Sequence, residues 1–224
     1  MQRRPSPSSK TRTKRYYPSY LDLKGKKVYV IGGGKVAERK ILSLLESGAD
    51  VTVISPSVTE RLKTLSQKKL IRHIPRPFRK GDLKGSFLTV VSTGRKDINR
   101  NVAKEGESSC CLYNVVDDPE VSNFIVPSTI NRGNLTIAIS TGGISPALSK
   151  NIRMELEKKY GKEYGLFLNL MEGIRKRLMK EIPSESIRRK IFHKLVNSGL
   201  TKTIKKKGIK TARIKAEEII SRFI

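Results

Sequence analysis

The chain predicts an α/β fold in which helices cover both faces of a parallel sheet, followed by a small β segment and a helical C-terminal part. Three observations carry that expectation. Short, continuously apolar runs alternate with stretches of helical spacing over the first half, and strands without a polar face belong to sheets buried on both sides. A three-glycine turn closes the first of these runs. From Leu148 onward the pattern is almost wholly helical, broken at Gly161, Pro183 and Gly199.

In chain order, MQRRPSPSSKTRTKRYYPSY is basic and short of core formers, and a disordered tail is expected over residues 1–19. KKVYVIGGG reads as a buried strand entering a tight turn. KVAERKILSLLESGA carries Val36, Ala37, Ile41, Leu44 and Leu45 at helical spacing, with Gly48 as its stop. DVTVIS, LIRHIP and FLTVVST are the next strands; VTERLKTLSQKK and DINRNVAKEGES are helices, and the CCLYNVV run closes the series. NFIVPSTINRG and NLTIAISTGG then suggest two β segments joined at Arg132-Gly133-Asn134. Beyond them Leu166, Leu170, Ile174 and Leu178 form one apolar stripe, and Ile187, Ile191 and Leu195 another. The first part is therefore expected to be a Rossmann-like domain.

With 224 residues, 37% of them hydrophobic, the chain has room for one medium domain and a smaller satellite. No run approaches the length of a membrane span, and the N-terminus lacks the apolar segment of a secretory signal. A soluble, cytoplasmic protein without a membrane partner is expected. Cys110 and Cys111 are neighbours, which argues against a disulfide framework or a zinc site. No metal site is expected, and His73 and His193 read as ordinary residues. The formal charge is +27. Residues 1–20 hold six basic and no acidic side chains, and residues 150–224 hold 21 basic and eight acidic ones. Nucleic acid is the default partner for such a balance, but no recognition motif accompanies the charge, which argues against that function.

VYVIGGGKVAERK places Gly32, Gly34 and Ala37 in the spacing G-x-G-x-x-A, between a strand and a helix. A tight turn, close approach of backbone amides to a pyrophosphate and close helix packing each call for a small residue at that spacing. Gly32, Gly33 and Gly34 are therefore candidate cofactor-binding residues. The acid that usually grips the ribose hydroxyls is absent: Ser55, Pro56 and Ser57 stand at the end of the second strand, and Ser55 or Ser57 could bond the ribose instead. No arginine follows the strand directly, although Arg61 comes soon after, and NAD is favoured over NADP.

Taken together, YLDLKGKKVYVIGGGKVAERKI and NVVDDPEVSNFIVPSTINRGNLTIAISTGGISPALSKNIR resemble the precorrin-2 dehydrogenase/sirohydrochlorin ferrochelatase family of sirohaem synthesis, the N-terminal module of sirohaem synthases. The likeness runs from about Tyr20 to Leu178. It implies a homodimeric oxidoreductase that oxidises precorrin-2 to sirohydrochlorin with NAD⁺. In some members the same module is also a lyase that inserts ferrous iron. The organisation it implies is a cofactor domain over 20–113, a dimerisation and substrate segment over 114–147 and a helical domain over 148–224. By position, Lys35 and Val36 follow the glycines at the cofactor, Ser55, Pro56 and Ser57 take the ribose side, and Thr93 approaches the cofactor after the fourth strand. Asp117 falls on the family's catalytic aspartate, and Thr141 where some members carry a serine beside the substrate. An octacarboxylate substrate would suit a basic cleft, and Arg132, Lys150 and Arg153 are candidate carboxylate partners.

NVVDDPEV therefore has two readings. Asp117 could accept the proton lost by the macrocycle, with Asp118 and Pro119 building a turn, or both acids could simply open that turn. In STGGISPAL, Thr141, Gly142, Gly143 and Ser145 could meet anionic substrate groups at a helix N-terminus, or merely cap the helix. Asn114 could orient Asp117 or touch the macrocycle. The competing possibilities are a bifunctional dehydrogenase and ferrochelatase, and a non-enzymatic NAD-sensing or nucleic-acid-binding module.

Overall fold

The computed structural model describes residues 14–116 and 118–224, so the tail expected over 1–19 lies outside the described residues up to position 13. Two compact units are formed, the first ending at Val126 and the second spanning Pro127–Ile224. None of the described helices is long and apolar enough to cross a membrane.

The first unit contains β1 (Lys27–Ile31), α1 (Lys35–Glu46), β2 (Asp50–Ile54), α2 (Glu60–Gln67), β3 (Arg72–Ile74), β4 (Leu88–Val91), α3 (Lys96–Ser108) and β5 (Leu112–Val115). Its five strands are parallel in the order β3-β2-β1-β4-β5. Apolar residues leave both faces of each central strand, and each set finds helical cover. Val28, Val30, Val51, Val53 and Val90 pack with Ala37 and Ile41 of α1 and Leu62 of α2. Ile31, Ile54 and Val91 pack with Val102 and Ala103 of α3. This two-sided burial is why the strands read as unbroken apolar runs. The chain winds outward from β1 to β3, then returns to the other side of β1 as β4. The reversal between β1 and β4 is the switch point at whose carboxyl edge open α/β sheets bind ligands.

β5 is an edge strand, and side chains complete its hydrogen bonding. The Asn123 side chain accepts from Tyr113 N at 2.7 Å and donates to Cys111 O at 2.9 Å. The Ser122 hydroxyl accepts from Val115 N at 2.9 Å and donates to Asp118 O at 2.7 Å. The segment after the aspartate pair is thus stitched back along the strand it has just left.

The second unit starts with a hairpin, β6 (Ser128–Arg132) and β7 (Leu135–Ile139), paired antiparallel from Ser128↔Ile139 to Arg132↔Leu135. Its turn falls on Gly133-Asn134, with the left-handed residue at Gly133 (φ +61°), the first central position where a II′ turn wants glycine. A Cβ on Gly165 would lie 2.6 Å from Arg132 O, so that glycine lets the following helix rest on the hairpin. Four helices complete the unit: α4 (Pro146–Lys159), α5 (Lys162–Glu181), α6 (Glu185–Asn197) and α7 (Leu200–Ile220). Leu170/Ile174/Leu178 and Ile191/Leu195 meet Leu200, Ile204, Ala212 and Ala216 in one core, with one correction to the expected stripe: Phe167 joins it, while Leu166 is 46% exposed. One break is not anticipated above: Gly208 has φ +80° and ψ 172° inside α7. By contrast, α4 buries none of its residues within the unit.

Two stability effects are expected. Asn123→Ala leaves a β5 donor and acceptor unpaired and should cost about 1–3 kcal/mol, read as a lower urea midpoint. Leu178→Ala, at a side chain with 0% exposure, should cost about 2–5 kcal/mol, seen in the unfolding of the helical unit.

Candidate functional site

The glycine turn leaves β1 at the switch point. Gly32 has φ +115°, and a Cβ there would stand 2.6 Å from Ser92 O at the end of β4. A Cβ on Gly33 would overlap Ser57 O and approach Val58 Cγ1 at 2.8 Å. Hydrogen bonds fix the same approach: Gly32 N donates to Ile54 O at 3.0 Å, Ser92 N to Ile31 O at 2.9 Å and Thr59 N to Gly33 O at 3.0 Å. Gly34 differs from these two, because nothing lies within 4 Å of its would-be Cβ. It is the N-cap of α1 without a side-chain cap, so the first-turn amides of Lys35, Val36 and Ala37 lack intrahelical partners. Packed glycines below, an open glycine above and an uncapped helix end fit the pyrophosphate of a dinucleotide. Val36 is 40% exposed beside this opening.

The ribose-side residues divide. Ser55 is buried, and its hydroxyl donates to Ser57 O at 2.7 Å. The loop is also held through Ser55 O by His73 Nε2 at 2.9 Å. Pro56 and Ser57 are exposed. Across the switch point, the Thr93 hydroxyl donates to Asn99 Oδ1 at 2.6 Å, shaping the turn into α3.

One group escaped the sequence analysis. Glu38, in the first turn of α1, is nearly buried and accepts from the Thr59 hydroxyl. Its carboxylate also lies 3.6 Å from Lys35 Nζ. The Thr59 hydrogen bond, opposed by desolvation and aided by the Lys35 and Arg61 charges, holds Glu38 below the ordinary carboxylate range. Thr59 also accepts from Leu62 N at 3.3 Å as the N-cap of α2. Only that second role is legible locally, since partners 21 positions apart carry no shared signature.

Asp117 lies outside the described residues. Asp118 builds a turn: its N–H donates to Val115 O at 3.1 Å, and its carboxylate accepts from Val121 N at 3.3 Å. Asn114 is buried and donates to Phe124 O at 3.0 Å, so this amide group tethers the returning segment.

In the second unit the STGG loop is braced from within. The Thr141 hydroxyl donates to Ser145 O at 3.0 Å and accepts from Ser145 N at 3.1 Å. Ser145 caps α4 by accepting from Leu148 N at 3.2 Å, and Pro146 takes the first helical position. Gly142 (φ +65°) and Gly143 (φ +87°) are exposed and left-handed, so their backbone is bare of side chain. Of the candidate cations, Lys150 is exposed. Arg153 pairs with Glu157 at 2.6 Å. Arg132 donates to Tyr160 O at 3.0 Å and Asn131 O at 2.9 Å, tying the hairpin to the end of α4. Among the described residues no three His, Cys, Asp or Glu side chains gather as metal ligands.

An NAD(P)-binding family model matches residues 19–128, and the model of the sirohaem biosynthesis protein central segment matches 132–159. Siroheme synthase of Thioalkalivibrio sulfidiphilus is 36% identical over 186 residues, covering 83% of this chain and 38% of the relative. Siroheme synthase 1 of Aeromonas salmonicida is 36% identical over 183 residues, covering 82% and 39%. The chain thus spans about two fifths of the length of these relatives. A solved structure titled SirC, precorrin-2 dehydrogenase, superposes with a TM-score of 0.74 at 28% identity, covering 93% of this chain and 98% of that one. The first unit is an NAD(P)-binding fold, and the chain belongs to the precorrin-2 dehydrogenase and sirohaem synthase family.

Proposed function

We propose that the protein is a cytoplasmic, NAD⁺-dependent precorrin-2 dehydrogenase, forming sirohydrochlorin on the route to sirohaem. The observation that carries this reading is the glycine turn: two packed glycines, one open glycine and an uncapped helix end, placed at the sheet's switch point in a chain of this family. Bound NAD⁺ supplies the hydride acceptor. The chain's own residues do the remaining work. Main-chain amides of Gly34, Lys35 and Val36 bind the pyrophosphate, the Ser55–Ser57 loop receives the ribose, and Val36 and Thr93 border the cofactor. Asp117, two positions past the last residue of β5 in the sequence, takes the proton that leaves the macrocycle. The exposed main chain around Gly143 and the cations Lys150 and Arg153 receive substrate carboxylates.

The same reading includes a homodimer. α4 buries none of its residues within its unit, while Ile144 is 80% and Leu148 51% exposed. A two-stranded hairpin is marginal on its own, and a second copy covering this face would bury those apolar groups.

Three outcomes are expected. Asp117→Ala should lower NADH production from precorrin-2 by about 10²- to 10⁴-fold while NADH binding, followed by nicotinamide fluorescence, stays unchanged. Near-normal turnover in that variant rules out the assignment. Gly33→Ala should raise the Kd for NADH by at least about tenfold, because its Cβ would meet the Ser57 carbonyl. Light scattering should give a dimer, and Leu148→Glu should shift it towards monomer; a wild-type monomer at micromolar concentration refutes the assembly.

A further inference from the structure

The ribose end of the dinucleotide cleft has an unusual balance of charge. An acid at the end of the second strand normally bonds the ribose hydroxyls and repels a 2′-phosphate. Here Ser55, Pro56 and Ser57 stand there, and Ser55 is spent on the carbonyl of Ser57. The carboxylate built into the turn, Glu38, is nearly buried, bonded by Thr59 and beside Lys35. Its charge is therefore compensated within the protein rather than presented to the cleft. The other nearby acid, Glu60, is 90% exposed and 4.0 Å from Lys63. Two cations remain. Lys35 opens α1 with its side chain 83% exposed. Arg61 sits exposed in the first turn of α2, two residues after Thr59, whose N–H is bonded to Gly33 O. The Ser57 carbonyl lies against Gly33, so this loop, the glycine turn and the start of α2 form one continuous wall.

We propose that this wall accepts the 2′-phosphate of NADP(H), with Arg61 and Lys35 as its cationic partners, so that the protein binds the phosphorylated and unphosphorylated dinucleotides with comparable affinity. The inference rests on the dinucleotide reading of the glycine turn but not on the identity of the tetrapyrrole. A guanidinium meets a phosphate with paired N–H donors, and the serine hydroxyls supply neutral donors that suit a ribose carrying either substituent. The two α-helix starts that converge here add positive potential of their own.

Direct titration of the protein with NADH and NADPH, read by nicotinamide fluorescence, tests this without any turnover. The expected dissociation constants agree within about threefold, a gap of under 1 kcal/mol. Arg61→Glu should weaken NADPH by about 10- to 150-fold, the range for losing a hydrogen bond to a charged group, while NADH changes less than about twofold. 2′,5′-ADP and 5′-ADP should displace NADH about equally well from the wild type, and 2′,5′-ADP should fall behind 5′-ADP in Arg61→Glu. Wild-type NADPH binding more than about tenfold weaker than NADH overturns the proposal, as does an Arg61→Glu variant, melting like the wild type, that loses both cofactors equally. Binding of neither cofactor would instead refute the dinucleotide site itself, and this proposal with it.

Discussion

The arrangement of the first unit depends on one close approach, that of the glycine turn to the two loops that flank it. Gly32 rests on the carbonyl of Ser92 and Gly33 on that of Ser57. A single methyl group at either position would drive a backbone apart. Because the turn is clamped between the ends of β4 and β2, it fixes where α1 starts, and α1 in turn covers one face of the sheet with Ala37 and Ile41. The cofactor cleft and the core are therefore not separable features. The residues that make the turn small enough to bind a pyrophosphate are the same ones that let the sheet close around it.

A second theme is how few polar side chains are left over at the expected sites. Ser55, Asn114, Thr141, Ser145 and Arg132 all bond within the protein, mostly to main-chain groups of neighbouring loops. What faces outward is largely backbone: the uncapped start of α1 and the glycine pair at 142–143. Preorganised amides suit anionic ligands because they are fixed before the ligand arrives and need no rotamer to be frozen. The hydroxyls and amides that resemble ligand contacts in the sequence serve that preorganisation.

Much of this was legible in the sequence because it is local. Apolar runs, glycine stops and the G-x-G-x-x-A spacing marked β1, α1 and the turn between them, and Pro119 after Asp118 marked a turn that is there. The breaks at Gly161, Pro183 and Gly199 fell where α4 to α7 are divided. What was not legible is pairing across distance. The Glu38–Thr59 bond, the use of Arg132 on Tyr160 O and the bonding of Asn123 along β5 join residues 10 to 28 positions apart. Gly208 was missed for the opposite reason. The residues on both sides of it are strongly helical in spacing, and one left-handed residue leaves no trace in that pattern.

The stitching of Ser122 and Asn123 onto β5 has a consequence beyond stability. An exposed edge of a parallel sheet offers a row of free donors and acceptors, on which a strand from another molecule can grow. Here that row is occupied mostly by side-chain groups, with main-chain bonds from Asn123 N to Tyr113 O and Asp118 N to Val115 O, which together imitate a sixth strand without being one. A serine and an asparagine mimic main-chain bonding but cannot propagate it, since they present no further ladder on their outer side. The sheet is thereby terminated chemically, and a chain carrying buried-strand sequences as sticky as VYVI and LTVV is kept from recruiting its own copies along that edge.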